Sequence, residues 1–310
     1  MRQALAGLMV AMTAASWAFA QSSRPAVLSR LIWFDRTGQR LGAVGPIADH
    51  GNLEISPDGT RVAVAVTDVA RATRDIWFYH LASDERTRFT SDPADENWLI
   101  WSPDGQRVLL NSFTRERLSL FEGPSTDASR GMQVLGGDEG KWPVSWSPDG
   151  RYVLYVTNNE RTSNDIWVLL RDGTGSPYPY LHTAASENWA SFSPDGRWVA
   201  FSAADSGQPE VFVAPFPAAT RRWRISADGG AQARWRRDGK EIYYVAPNRM
   251  LMSAQIDMSS GITVKGYEPL FELQHPYGAY HAFDVTADGQ RFLVNTLVVS
   301  PSGPRVIAAR

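Results

Sequence analysis

One tetrapeptide recurs along this chain at nearly constant spacing. It stands as Ser56-Pro57-Asp58-Gly59, Ser102-Pro103-Asp104-Gly105, Ser147-Pro148-Asp149-Gly150 and Ser193-Pro194-Asp195-Gly196, followed by two worn copies, Arg236-Arg237-Asp238-Gly239 and Thr286-Ala287-Asp288-Gly289. The aspartates are 46, 45, 46, 43 and 50 residues apart. Such a period marks an array of equivalent supersecondary units, none of which buries its apolar face alone. Ser, Pro and Gly at these positions suit a type I turn that closes on a left-handed residue, so each copy is a hairpin loop. The aspartate carboxylate then serves to cap backbone N–H groups of the turn rather than to bind calcium or move protons.

Both flanks of the turn read as strands, from Trp98, Ile100 and Trp101 before it to Val62–Val66, Tyr152–Val156 and Trp198–Phe201 after it. A third strand begins at an acidic residue followed by an apolar pair: Asp75-Ile76-Trp77, Asp165-Ile166-Trp167 and Glu210-Val211-Phe212, with Leu118–Phe121 as a degenerate copy. Asp75 and Asp165 are expected to fix the strand start. A fourth segment closes each unit, as in Thr87–Thr90, Gln133–Leu135, Trp223–Ser226 and Pro269–Leu273. Four short antiparallel strands in about 45 residues make one propeller blade. Only 22 residues follow Asp288, too few for a full blade. The hairpin of Leu31–Phe34 and Leu41–Val44 supplies the missing half, while Phe292–Thr296 and Val306–Ala309 remain at the other end. The expected fold is therefore all-β: a six-bladed β-propeller of four-stranded antiparallel blades, closed by N- and C-terminal strands that share the last blade, which removes two free sheet edges. The strand positions of the terminal segments stay open at this stage.

Before the repeats, Met1 and Arg2 lead into an apolar run from Ala4 to Phe19 that ends in Ala18-Phe19-Ala20. This reads as a signal peptide over 1–20, leaving 21–310 as one propeller domain with no transmembrane span, located in the periplasm or outside the cell. The chain has no cysteine, which excludes disulfides, thiol nucleophiles and cysteine-held metals. Its 31 basic and 33 acidic residues give a formal charge of -2, which offers no footprint for nucleic acid.

The Ser-Pro-Asp-Gly turn, the apolar strand after it and the Asp-Ile-Trp strand together resemble the WD40-like, TolB-type β-propeller repeat over roughly 31–310. Trp33-Phe34-Asp35-Arg36-Thr37-Gly38 and the stretch 284–296 are most similar to the propeller region at the C-terminus of many bacterial serine/threonine kinases. The resemblance implies a six-bladed fold and a habit of binding or scaffolding, with a protein, peptide or envelope ligand as partner, rather than a reaction.

No catalytic motif appears: there is no G-x-S-x-G elbow, kinase signature or phosphate loop, and Gly173-Thr174-Gly175 falls where a hairpin turn belongs. No cofactor is implied. His50, His182 and His281 lie on or near loops that enter an inner strand, and a metal-assisted lyase or hydrolase at the central channel is the alternative they keep open. A stand-alone sensory propeller related to the kinase ectodomains is another. Six or seven residues before each repeat aspartate stand Asn52, Asn97, Trp142, Asn188, Gln232 and His281, with Glu96, Lys141 and Glu187 beside them and Asp95, Trp98 and Trp189 adjacent. Inner strands line the channel of a propeller, so these amides, carboxylates, lysine and aromatics should meet at one rim. Such a collar is either a binding site or a set of hydrogen bonds that tie the blades together.

Overall fold

The computed structural model describes residues 26–114, 117–159, 162–173, 175–205, 207–276, 281–300, 303–304 and 306–307. The expected leader, 1–20, lies outside them. Six four-stranded antiparallel sheets follow one another around an axis. From the axis outward, blade I is His50–Ile55, Arg61–Asp68, Thr73–His80 and Arg86–Arg88; blade II is Leu99–Trp101, Arg107–Phe113, Leu118–Pro124 and Met132–Leu135. Blade III is Lys141–Trp146, Tyr152–Asn159, Ser163–Leu170 and Tyr178–Leu181; blade IV is Glu187–Phe192, Trp198–Ala203, Glu210–Pro215 and Trp223–Arg224. Blade V is Ala231–Trp235, Glu241–Val245, Met250–Asp257 and Thr263–Glu272. Among the described residues no helix is long and apolar enough to cross a membrane.

Blade VI shows how the ends are used. Phe283–Val285 and Arg291–Leu297 form its inner half, and Ser29–Asp35 with Arg40–Ala48 its outer half. The joint is a continuous ladder from Ser29 opposite Leu297 to Asp35 opposite Arg291. Val306–Ile307 does not extend this blade: it pairs with Ala26–Val27 in a separate two-stranded ladder.

The repeated turns have the geometry their residues dictate. In all six the glycine N–H donates to the carbonyl three residues back at 2.8–2.9 Å, with the glycine φ between 69° and 75°. The Ser or Thr hydroxyl at the first position donates to the aspartate at 2.6 Å in five of them. The same carboxylate accepts the N–H two residues on at 3.0–3.1 Å in all six. These donors hold Asp58, Asp104 and Asp288 below the usual carboxylate range, the hydroxyl being the first cause.

Alternation along each strand sends side chains to the two neighbouring blades in turn, and the core is accordingly divided into wedges. Ala63, Ile76 and Phe78 of blade I pack on Leu99, Trp101 and Val108 of blade II. Ile100 and Leu109 of blade II meet Val153 and Tyr155 of blade III. The remaining wedges follow suit, ending with Leu31, Trp33 and Leu293 of blade VI against Leu53, Val62 and Tyr79 of blade I. One side chain breaks the rule. Trp98 enters with blade II yet lies in the wedge of Val144 and Ala190, between blades III and IV.

Candidate functional site

The inner strands begin with irregular backbone. Their pairing with the second strand skips between His50 and Leu53, Pro143 and Ser145, Asn188 and Ser191, and Ala231 and Arg234. Such bulges bend a strand and re-aim its side chains. Two bulged residues, Trp189 at φ 51° and Gln232 at φ 60°, sit in the left-handed region that side chains rarely adopt.

Most collar amides are used for construction. Asn52 Nδ2 donates to Asn97 O of the next blade at 3.0 Å. Gln232 Oε1 accepts the Ala282 N–H at 2.7 Å. Asn164 of blade III donates to Asn188 Oδ1 of blade IV at 2.7 Å, and Asn188 Nδ2 donates to Ser186 Oγ at 3.0 Å. Asn97 Oδ1 accepts from Asn111 Nδ2 at 3.0 Å. Lys141 is buried and donates to Glu139 O at 2.9 Å, its pKa lowered by that burial. Glu96 and Glu187 do not face the mouth. Glu187 is held by the Thr183 hydroxyl and Glu96 accepts from Ser112 Oγ at 3.2 Å, each inside an interface between blades. Trp142 and Trp189 remain half-exposed at the starts of neighbouring inner strands, Trp142 edge-on to Phe113.

His281 closes the axis instead of lining an open pore. Its ring meets Trp98 edge-on with centroids 5.2 Å apart, although one belongs to blade VI and the other to blade II. Burial, with Arg234 adding, pulls His281 well below the usual imidazole range, so the ring is neutral. The three histidines do not form the metal cluster that their loop positions left open. His50 is packed between Ser29 Oγ at 3.2 Å and the Tyr79 hydroxyl at 3.4 Å, and His182 lies against Asp165 Oδ2 at 2.9 Å. Among the described residues no group of three or more His, Asp or Glu side chains is placed to hold a metal. Asp165 also accepts from the Thr162 hydroxyl at 2.7 Å, and Asp75 is bound by Arg71 at 3.1 Å and Arg88 at 2.7 Å.

A second, mostly polar ring of positions, two or three residues further along the inner strands, escaped the sequence reading. Four positions before each repeat aspartate stand Glu54, Ile100, Ser145, Ser191, Arg234 and Asp284. Arg234 lies 3.8 Å from Asp284 and 4.0 Å from Glu54. Asp284 Oδ2 accepts the Ile55 N–H at 2.8 Å, and Ser145 Oγ accepts the Phe192 N–H at 3.0 Å, the same link made at two interfaces. Burial pushes Glu54 up to about 8, against the pull of Arg234. A count at fixed offset from the turn would have found this ring.

No family model matches the chain. It is 27% identical over 216 residues to the Agrobacterium fabrum protein Atu1656, which covers 64% of this chain and 69% of that one. It is 24% identical over 205 residues to the Bacillus subtilis protein described as uncharacterized peptidase YuxL, covering 54% of this chain. The matched part is 31% of YuxL, so the chain spans about a third of that relative. Among solved structures, a putative TolB from Agrobacterium tumefaciens superposes with a TM-score of 0.70 at 20% identity, over 88% of this chain and 99% of that one. An oligogalacturonate lyase in complex with manganese superposes with a TM-score of 0.57 at 13% identity, over 79% and 76% of the two chains. The fold is that of the TolB-type six-bladed propellers.

Proposed function

We propose that the chain is an exported, non-enzymatic binding propeller of TolB-like type that holds a protein or peptide against the mouth where the inner strands begin. The observation that carries this reading is the pair of half-exposed indoles, Trp142 and Trp189, at the starts of adjacent inner strands. Trp189 keeps a backbone conformation that costs free energy, φ 51°, and such outliers persist where the surroundings hold a side chain in place for use. Indoles anchor protein interfaces because they bury a large rigid area and still donate one hydrogen bond. Trp98 and His281 fill the axis behind them, which favours a shallow recognition face over a reaction chamber. Export rests on the leader pattern over 1–20.

The test is photo-crosslinking of the protein to envelope extracts, comparing the wild type with a Trp142→Ala/Trp189→Ala variant and following melting temperature in parallel. A partner captured by the wild type and lost by a variant that still melts cooperatively supports the reading. Capture unchanged in the variant, or a stoichiometric metal in the purified protein accompanied by turnover of a substrate, overturns it.

A further inference from the structure

Between blades I and II runs a cleft of about 80 Å³, separate from the channel mouth. Its inner end is polar, with Glu96, Asp92, Thr90 and Ser112; its walls are apolar, with Phe89, Val108, Leu110 and Phe121. Glu96 is 1% exposed and accepts from Ser112 Oγ at 3.2 Å, with the Thr90 hydroxyl and the Asp92 carboxyl beside it, while no donor comes within hydrogen-bond distance of its Oε2. A buried carboxyl oxygen without a partner is costly and rare in a folded protein. The neighbouring arginines make their direct pairs elsewhere, although Arg71 is near enough to feel the Glu96 charge. Arg71 and Arg88 are engaged by Asp75 on the adjacent strand, and Arg74 by Asp95. Asp92, exposed at the edge of the cleft, adds a second negative group.

We propose that this cleft is a site for a primary alkylammonium group, the cation pairing with Glu96 and Asp92 and its hydrocarbon chain lying along Val108, Leu110, Phe89 and Phe121. An ammonium brings three donors and a positive charge to a cleft whose polar side chains are two carboxyls and two hydroxyls. Its chain accounts for the apolar walls, which a bare metal ion would leave uncovered. The volume exceeds that of a single water site several-fold and matches a short, unbranched chain.

Burial, with Asp92 beside it, pushes Glu96 up to about 9, so its carboxyl is neutral at pH 7 before a cation binds. Entry of the cation then breaks the Glu96 O–H bond and releases that proton to solvent. The titratable groups around it are Asp92 on the loop after blade I and Asp75, Arg71 and Arg88 on the blade I strands and hairpin.

Calorimetric titration of the intact protein with n-butylammonium and, separately, with the peptide acetyl-Gly-Lys-Gly-amide tests the site and separates a free amine from a lysine side chain. Binding should tighten by up to about tenfold per pH unit from pH 6 to 9, with close to one proton released at pH 7 in buffers of different ionisation enthalpy. Glu96→Gln, which copies the neutral carboxyl in shape and so keeps the fold, should weaken binding at pH 9 by at least about tenfold and abolish both effects. Ala128→Leu, which fills the outer end of the cleft, should weaken the amine without altering proton release per mole bound. The proposal fails if n-butanol binds as well as n-butylammonium, if calcium is preferred, or if neither amine binds. It also fails if Glu96→Gln binds like the wild type. Loss of this site leaves the channel-mouth reading untouched, since Trp142 and Trp189 are not part of it.

Discussion

Equivalent glycines in the repeated turn are not equivalent in what surrounds them. Gly59 sits at φ 69° with open space where a Cβ would be, whereas a Cβ on Gly289, at φ 70°, would meet the Tyr243 hydroxyl and would lie 2.7 Å from Arg236 Cδ. Gly59→Ala should therefore cost only the strain of a left-handed residue, about 1 kcal/mol, and Gly289→Ala clearly more, as urea unfolding of the two variants will measure. Side-chain charge makes a second residue-level prediction. Glu54 is raised to about 8 in the folded protein against 4.5 for the free group. Its contribution to stability is fully present below about pH 4.5, where both states hold the proton, and is lost as pH rises toward 8 because only the unfolded state ionises. Glu54→Gln removes that loss, so its stability should gain on the wild type between pH 5 and 8 by on the order of 1 kcal/mol or more. Parallel unfolding curves for the two proteins across that range would refute the assignment.

At the level of strands and blades, the neighbouring wedges are joined by hydrogen bonds that recur with the repeat. Trp101 Nε1 donates to Glu54 O at 3.2 Å and Trp235 Nε1 to Ser191 O at 3.2 Å, each indole sitting three residues before its repeat aspartate and reaching back one blade. Trp101→Phe and Trp235→Phe should each lower stability by about 1–2 kcal/mol, since the ring is kept and a buried carbonyl is left unpaired. Equal costs at the two sites would confirm their equivalence, and no cost at either would remove these bonds from the account. The strands themselves were legible in the residues: Asp-Ile-Trp and Ser-Pro-Asp-Gly locate them because a turn and an alternation are local properties. Blade III's fourth strand, Tyr178–Leu181, and blade V's third, Met250–Asp257, carry no such mark. The collar was legible only as a set of positions. Spacing tells that Asn52, Glu96 and Gln232 lie at the start of an inner strand; it does not tell which way a bulge turns them. That is why Glu96 points between blades and why Asn52 and Gln232 serve as ties rather than as a free rim.

For the whole molecule, what a ring has and an open repeat array lacks is the closing contact. In an open array each unit is stabilised by its neighbours alone and the ends fray. Here the N-terminal strands Ser29–Asp35 and Arg40–Ala48 complete the blade begun at Phe283, and their side chains Leu31, Trp33 and Val44 fill the wedge against Leu53, Val62, Val64 and Tyr79. Asn295 adds a tie across the same joint, its Nδ2 donating to His50 O at 3.0 Å. Removing 26–48 would expose that wedge and leave the edge of Arg291–Leu297 unpaired. At about 1.5–3 kcal/mol for each large apolar side chain uncovered, the loss equals or exceeds the 5–15 kcal/mol by which a typical domain is stable. The truncated chain should therefore lose its single cooperative urea transition, expose apolar surface and aggregate. A synthetic peptide of residues 26–48, added in trans, should restore the transition in a concentration-dependent way, because binding to the folded form alone shifts the equilibrium by mass action. If the truncated protein unfolds with the midpoint and cooperativity of the full chain, the clasp is an ornament and the disc stands on its other five interfaces.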